Sequence, residues 1–286
     1  MSEPEDADTE REPTLDEIGA WSIRKHDLVA YYASVYAQIT ANAKSVNFSR
    51  VYIDAFANRG YGRRKDTGEK VKGSALRILE VTPPFDRYVF VEDDKERFDD
   101  LCGAVGSHAN VQLIRGDAND VLPITVFPSV QYHRRERALC FLDPYNLRGL
   151  KWVTMCAAGQ NAAVDAIIHF PTMDTHRTVL MRDPKRIRPK MAAKMTAYWG
   201  DESWREASYS TNGMLPMAGL TDRKHDTKTV IDAFRKRLCD VAGFVHVTNG
   251  IPMKNDEGNP VYHLLLATHN DTAARVMNSV EKRFRD

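Results

Sequence analysis

Asp54, the pair Glu92-Asp93, Asp117 and Asp143 each follow a short run of strand-forming residues. The runs are Val51–Ile53, Arg87–Val91, Val111–Ile114 and Ala138–Leu142. Parallel strands place all their carboxyl ends on one edge of a sheet, and ligands bind there, where the strand order reverses. Carboxylates on that edge can hold sugar hydroxyls or a cationic group. The turn Ala55-Phe56-Ala57-Asn58-Arg59-Gly60 after the first run adds a glycine, which lets backbone approach a ligand closely. Singly, each acid also suits a helix N-cap, a position that Asp favours. The repetition at successive strand ends is what points to one shared ligand.

Two basic runs flank the same edge. The first is Arg59, Arg63, Arg64 and Lys65, with Lys70 and Lys72 following. The second holds Arg177, Arg182, Lys185, Arg186, Arg188, Lys190 and Lys194. A charge run commonly marks a solvated face, but Lys and Arg are also what neutralise phosphates. On that reading Arg59, Arg63, Arg64, Arg186, Arg188 and Lys190 are candidate phosphate contacts. Tyr61, Trp199 and Trp204 are candidate stacking surfaces, with core packing the simpler role for both tryptophans. His169 lies near enough to the Asp143 segment to be a minor catalytic candidate, whereas His263 and His269 read as structural.

The elements that must position these groups alternate between strand and helix. A leading helix is expected from a capping box at Thr14 and Glu17, through Leu28, Tyr31, Tyr32, Val35 and Ile39 to about Val46. Residues 59–68 form a glycine-rich basic loop, and Gly73-Ser74 opens a helix ending near Val81. Further helices are expected to Val105 and, briefly, after Asp117. A fifth strand spans Val164–Phe170. The runs are continuously apolar, which argues for a mainly parallel sheet covered on both faces. From Thr172 to about Asp226 the rhythm breaks into a helical insertion or cap. It resumes with a helix over Thr227–Ala242, a strand Phe244–Thr248, a turn at Asn255–Asn259, a strand Val261–Thr268 and a closing helix to Arg283. The last two strands, joined by a turn, are expected to be antiparallel neighbours.

Composition bounds the rest. A hydrophobic fraction of 43%, a charged fraction of 28% and a net charge of +1 are those of an ordinary globular chain without a global positive field. Residues 1–14 are strongly acidic and almost devoid of apolar side chains, so they are expected to be a disordered tail ahead of one domain over 15–286. The four cysteines have no CxxC spacing and suggest neither a metal site nor a disulfide framework. There is no long apolar run and no basic-then-apolar leader, so the expected setting is the cytoplasm, away from membranes.

The wording of the motifs carries a resemblance. Tyr52-Ile-Asp-Ala-Phe-Ala, Gly73-Ser-Ala-Leu, Phe90-Val-Glu, Gly116-Asp-Ala-Asn, Phe141-Leu-Asp-Pro-Tyr and Phe170-Pro resemble the three-Cys-motif partner family, TcmP, over roughly residues 20 to 270. Asn58 departs from it, standing where glycine is usual; asparagine tolerates left-handed backbone angles better than most residues. The resemblance implies a class I methyltransferase-like, Rossmann-like fold with a seven-stranded mainly parallel sheet and a terminal antiparallel hairpin. It implies S-adenosyl-L-methionine (SAM) as cofactor, with Asp54, Ala55, Phe56 and Gly60 near its methionine part and Glu92 and Asp93 at the ribose. Asp117 and Ala118 would lie beside the adenine, and Asp143 would also border the cofactor. A three-Cys-motif protein is the partner the family name implies.

Asp143-Pro144-Tyr145-Asn146 also resembles a shortened (Asp/Asn)-Pro-Pro-(Tyr/Phe) motif of amino methyltransferases. By that resemblance Asp143 and Pro144 orient an exocyclic amine and Tyr145 stacks on the base, which must first leave any duplex. The expected activity is SAM-dependent methylation of a nucleobase or nucleotide nitrogen. The alternatives are a small-molecule or peptide methyltransferase, and a nucleic-acid-binding or partner-docking protein without turnover.

Overall fold

The structure is a computed structural model that describes residues 15–42, 47–181, 183–210 and 223–285. Its strands, in chain order, are β1 (Glu17–Ile18), β2 (Ser49–Asp54), β3 (Tyr61–Arg64), β4 (Lys70–Lys72), β5 (Arg87–Glu92), β6 (Val111–Arg115) and β7 (Glu136–Leu142). They continue with β8 (Val164–Phe170), β9 (Tyr209–Ser210), β10 (Arg223–Lys224), β11 (His246–Val247), β12 (Ile251–Lys254) and β13 (Pro260–Thr268). The central sheet runs β11-β13-β8-β7-β2-β5-β6, with β12 also paired to β13. From β8 to β6 the pairs are parallel, and β13 lies antiparallel between β8 and the β11/β12 pair.

Side chains alternate between two apolar layers, as the two-residue strand period requires. Val51, Ile53, Val89, Val91, Cys140 and Leu142 face one layer, and Tyr52, Tyr88, Phe90, Leu139 and Phe141 face the other. The second layer is closed by the helices Ala20–Ala41, Ser74–Leu79, Lys95–Val105 and Asp271–Arg285. The first is closed by Trp152–Gly159, Pro189–Trp199, Trp204–Ser208 and Thr227–Arg237.

Several sequence expectations change. The acidic tail 1–14, Thr14 of the expected capping box, the end of the leading helix at 43–46, and Arg182 lie outside the described residues. Glu17 opens no helix: it forms β1, and the helix begins at Ala20 behind Gly19. The basic loop is a hairpin, because β3 and β4 pair with each other and β1 adds to β3 in parallel. The expected strand Phe244–Thr248 shortens to His246–Val247, and the chain pairs again at Ile251–Lys254. Gly250, at φ +90°, lets it turn back onto β13. The 172–226 segment contains the two-residue strands β9 and β10, too short to leave a period in sequence.

That insertion is built into the core. Phe234 meets Tyr198 and Trp199 of the insertion at ring-centroid distances of 5.3 Å each, and Phe170 of β8 at 5.1 Å. Trp199 and Trp204 are buried, their indole nitrogens donating to Ser203 and Thr196. Phe234→Ala is therefore expected to cost about 3–5 kcal/mol. Phe234→Leu, which keeps most of the volume, should cost markedly less; urea unfolding midpoints compare the two.

Candidate active site at the strand-order reversal

β2 pairs with β5 on one side and with β7 on the other, so the strand order reverses between β2 and β7. Beyond their carboxyl ends lies a cleft of about 560 Å³. That is within the usual range for small-molecule sites. Its rim is contributed by β1 and the start of the first helix, the turn after β2, the segment after β7 and the helix Thr172–Thr178. A hollow of about 350 Å³ between the first and last helices is remote from these strand ends.

Asp54 ends β2 and is fully buried behind the cleft wall. Its carboxylate accepts from Ser74 Oγ at 2.6 Å and from the Phe56 N–H at 3.2 Å. Burial nevertheless dominates and pushes its pKa up to about 6. Glu92, at the end of β5, lines the cleft and binds the backbone of both neighbouring turns. It accepts from the Asn58 N–H at 2.9 Å and the Asp94 N–H at 3.0 Å. Asn58 adopts the left-handed conformation at φ +55°, and its own Oδ1 accepts from the Arg59 N–H at 2.7 Å. The side chain is thus folded onto its turn.

Gly60 has φ +83°, and a Cβ there would meet the Ala104 Cβ at 2.8 Å. Its glycine is accounted for by backbone angle and close helix packing, not only by approach to a ligand.

Asp143 follows β7 and lines the cleft, with its side chain 15% exposed. Oδ2 is held by Lys25 Nζ of the first helix at 2.5 Å. Burial alone would raise the Asp143 pKa, but the Lys25 charge, nearby His169 and the Lys25 hydrogen bond outweigh it and hold it below the ordinary carboxylate value. His169 is pushed down to about 4 by burial, against the pull of Asp143. His26 is pushed down to about 3 by burial and then by the Lys25 charge. Tyr262 packs against His169 at 4.5 Å, and its hydroxyl is buried without a hydrogen-bond partner among the described residues. Tyr145 stands 75% exposed on the rim, with the Arg97 guanidinium over its ring at 5.3 Å.

Of the residues expected at the site, Phe56, Gly60, Glu92, Asp143, Pro144 and Tyr145 line the cleft, and Asp54 and Ala55 are buried at the end of β2 and in the turn after it. Others lie off the cleft lining. Asp117 and Ala118 do not line it: Asp117 caps its own short helix, accepting from the Asn119 N–H at 2.8 Å. Asp93 is exposed and off the lining, and its neighbour Asp94 caps the next helix. Arg59 is buried and paired with Glu96 and Asp100. Arg63 donates to the Gly68 carbonyl and Arg64 pairs with Asp66, so the guanidinium groups of this run are occupied within their own hairpin and with the neighbouring helix. Arg186, Arg188 and Lys190 are exposed but do not line the cleft.

Lys25, His26, Arg97 and the place of Arg177 in the wall emerge only from the structure. Lys25 and His26 fall on the first helix, where neither spacing nor neighbours mark them as site residues. A lysine on the helix face that also carries Leu28, Val29 and Tyr32 was the available signal.

The strand order, the antiparallel β13 and a cleft at the reversal define a class I methyltransferase-like fold. The chain matches no protein-family model and no curated protein. Solved structures similar to it include a Legionella pneumophila protein (11% identity, 93% of this chain and 92% of that one, TM-score 0.43). The methyltransferase domain of a bacterial Hen1 aligns at 10% identity over 84% and 97% of the two chains, TM-score 0.41. Aeropyrum pernix fibrillarin with bound S-adenosyl-L-methionine aligns at 12% identity over 87% and 76%, TM-score 0.38.

Asp54 gives a pH test. Its raised pKa means that the folded state binds more protons than the unfolded chain between about pH 4 and 6, so its contribution to stability is lost across that window as pH rises. The lowered values of His26 and His169 give the opposite slope, stability lost as pH falls from about 6.5. Asp54→Asn should thus gain on wild type as pH rises from about 4 to 6, by an amount on the order of 3 kcal/mol. Paired thermal melts across that range measure the difference; parallel curves would contradict the buried, proton-binding carboxyl.

Proposed function

We propose that this protein is a SAM-dependent methyltransferase whose acceptor is a nitrogen of a nucleobase or nucleotide. The observation that carries the reading is the Asp143-Pro144-Tyr145 segment on the rim of the strand-reversal cleft, with an acidic group inward and an open aromatic face outward. The cleft suits the cofactor: Glu92 retains acceptor capacity for ribose hydroxyls beyond its two backbone bonds, and the turn from Phe56 to Gly60 would border the methionine part. The folded-back Asn58 side chain leaves room beside that turn. When bound, SAM supplies an electrophilic methyl group. The protein's own part is orientation: Asp143 accepts the N–H of the acceptor and fixes its lone pair, Tyr145 stacks on the ring, and Arg177 meets a phosphate. Rate enhancement then comes chiefly from proximity and a preorganised acceptor. The wording of the motifs supports membership of the TcmP family and a three-Cys-motif partner, and we place the protein in the cytoplasm.

A free nucleotide or other small acceptor is the second reading. The pairing of Arg59 and Arg64 within their own neighbourhood, and the absence of Arg186, Arg188 and Lys190 from the cleft lining, favour it over a long nucleic-acid strand. Salt dependence separates them, because each neutralised phosphate of a polymer releases counterion. Strand binding should weaken steeply with salt, with a shallower slope in an Arg186, Arg188 and Lys190 triple alanine variant.

Calorimetry should show SAM binding in the micromolar range, about −8 kcal/mol. Glu92→Gln should weaken it by about 1.5–3 kcal/mol, the scale of a hydrogen bond to a charged group. No binding at millimolar SAM by folded protein would remove the basis of the proposal. Once an acceptor is in hand, Asp143→Ala should cut turnover about 100-fold with SAM affinity preserved. Tyr145→Ala should raise KM and lower kcat together, while Tyr145→Phe stays near wild type; equal losses in both tyrosine variants would reject the stacking role.

A further inference from the structure

The Lys25–Asp143 pair joins two residues 118 positions apart at the edge of the cleft, with side-chain exposures of only 10% and 15%. Two charges withdrawn this far from water persist only when closely matched. Yet the match is one-sided: Lys25 takes Oδ2, while Oδ1 has no hydrogen bond among the described residues. A tie serving only to dock the first helix on the sheet has no need to leave one oxygen of a largely buried carboxylate unused beside a cleft.

Resting on the methyltransferase reading above, we propose that Lys25 is a positioning residue: it grips Oδ2 of Asp143 and presents Oδ1, as a fixed acceptor, to the N–H of the methyl acceptor. Lys25 is itself held from behind, its ammonium lying 5.6 Å from the centre of the Tyr262 ring. The titratable groups facing Asp143 are Lys25 and His26 of the first helix, Asp54 and Tyr52 of β2, His169 of β8 and Tyr262 of β13. Both histidines are driven towards their neutral forms, which leaves Lys25 as the cation that keeps Asp143 ionised at neutral pH. The anion is thereby positioned without a bound substrate to balance it.

The test is a cycle of Lys25→Met, Asp143→Ala and the double variant, with Lys25→Arg as the charge-keeping control. Turnover is followed across pH with an adenine or cytosine nucleotide as acceptor, and SAM affinity and melting temperature are measured on each protein. Lys25→Met should lower turnover about tenfold or more at neutral pH, with SAM affinity within about twofold. Its acidic limb should move to higher pH, because a carboxylate without its cation protonates more readily. The loss should vanish in the Asp143→Ala background, and Lys25→Arg should recover most of the rate. In melts, the Lys25→Met deficit should shrink at acidic pH and in the double variant, a readout independent of turnover. Retained SAM binding with the same loss in both backgrounds and an unmoved acidic limb would overturn the Lys25 role alone. Absence of SAM binding by the wild-type protein would overturn the methyltransferase reading, and the acceptor role with it.

Discussion

β2 is the constraint on which the site depends. It is paired on both edges, and its residues from Val51 to Asp54 are essentially without solvent exposure. The parallel register sets Asp54 opposite Phe90 of β5 and Phe141 of β7. The acids that end or follow those neighbours, Glu92 and Asp143, are therefore carried to the same edge. No loop has to reach across the molecule to gather them. The crossover to β5 on one side and the return to β7 on the other open the cleft between them, as strand-order reversal does in open α/β sheets generally.

Burial then decides how each carboxylate behaves. Asp54, with a hydroxyl and an N–H but no cation in hydrogen-bond contact among the described residues, moves up to about 6. Asp143, largely buried but bonded to Lys25, moves down. Two acids of the same type at adjacent strand ends move in opposite directions because burial prevails at Asp54, whereas a direct bond to the ammonium group of Lys25 prevails at Asp143. The neutralised His26 and His169 follow from the same enclosure, since an imidazolium beside Lys25 would add an unscreened like charge. A cleft with its charges already balanced needs little rearrangement to receive a ligand, the condition for preorganised catalysis.

The basic segments show why charge counted along a chain differs from charge available at a surface. Arg59 is turned inward to Glu96 and Asp100, Arg64 pairs with Asp66, and Lys72 pairs with Glu80. Their business is holding the hairpin and its neighbouring helices. The guanidinium groups at the cleft wall, Arg97 and Arg177, come from two different helices. The small β1–β3–β4 sheet likewise turns an expected loop into a wall, with Tyr61 and Gly62 on the lining beside Asp16 to Ile18.

By itself the sequence determined the elements whose periodicity is strong. The apolar runs of β2, β5, β7 and β8 and the closing antiparallel strand were legible, because a buried parallel strand must be continuously apolar and a tight turn must be polar. Strand-end placement of Asp54, Glu92 and Asp143 followed directly. Tertiary structure alone decided which of the similar acids share a site. Asp117 lies after β6, at the far edge of the sheet, where capping its own helix satisfies it, and Asp93 points to solvent one residue beyond the buried Glu92. It alone brought Lys25 to Asp143, since a contact across 118 residues leaves no local period to read. Periodicity records which face of an element is buried. What that face is buried against depends on strand order and helix docking, where long-range packing and charge matching outweigh local preference.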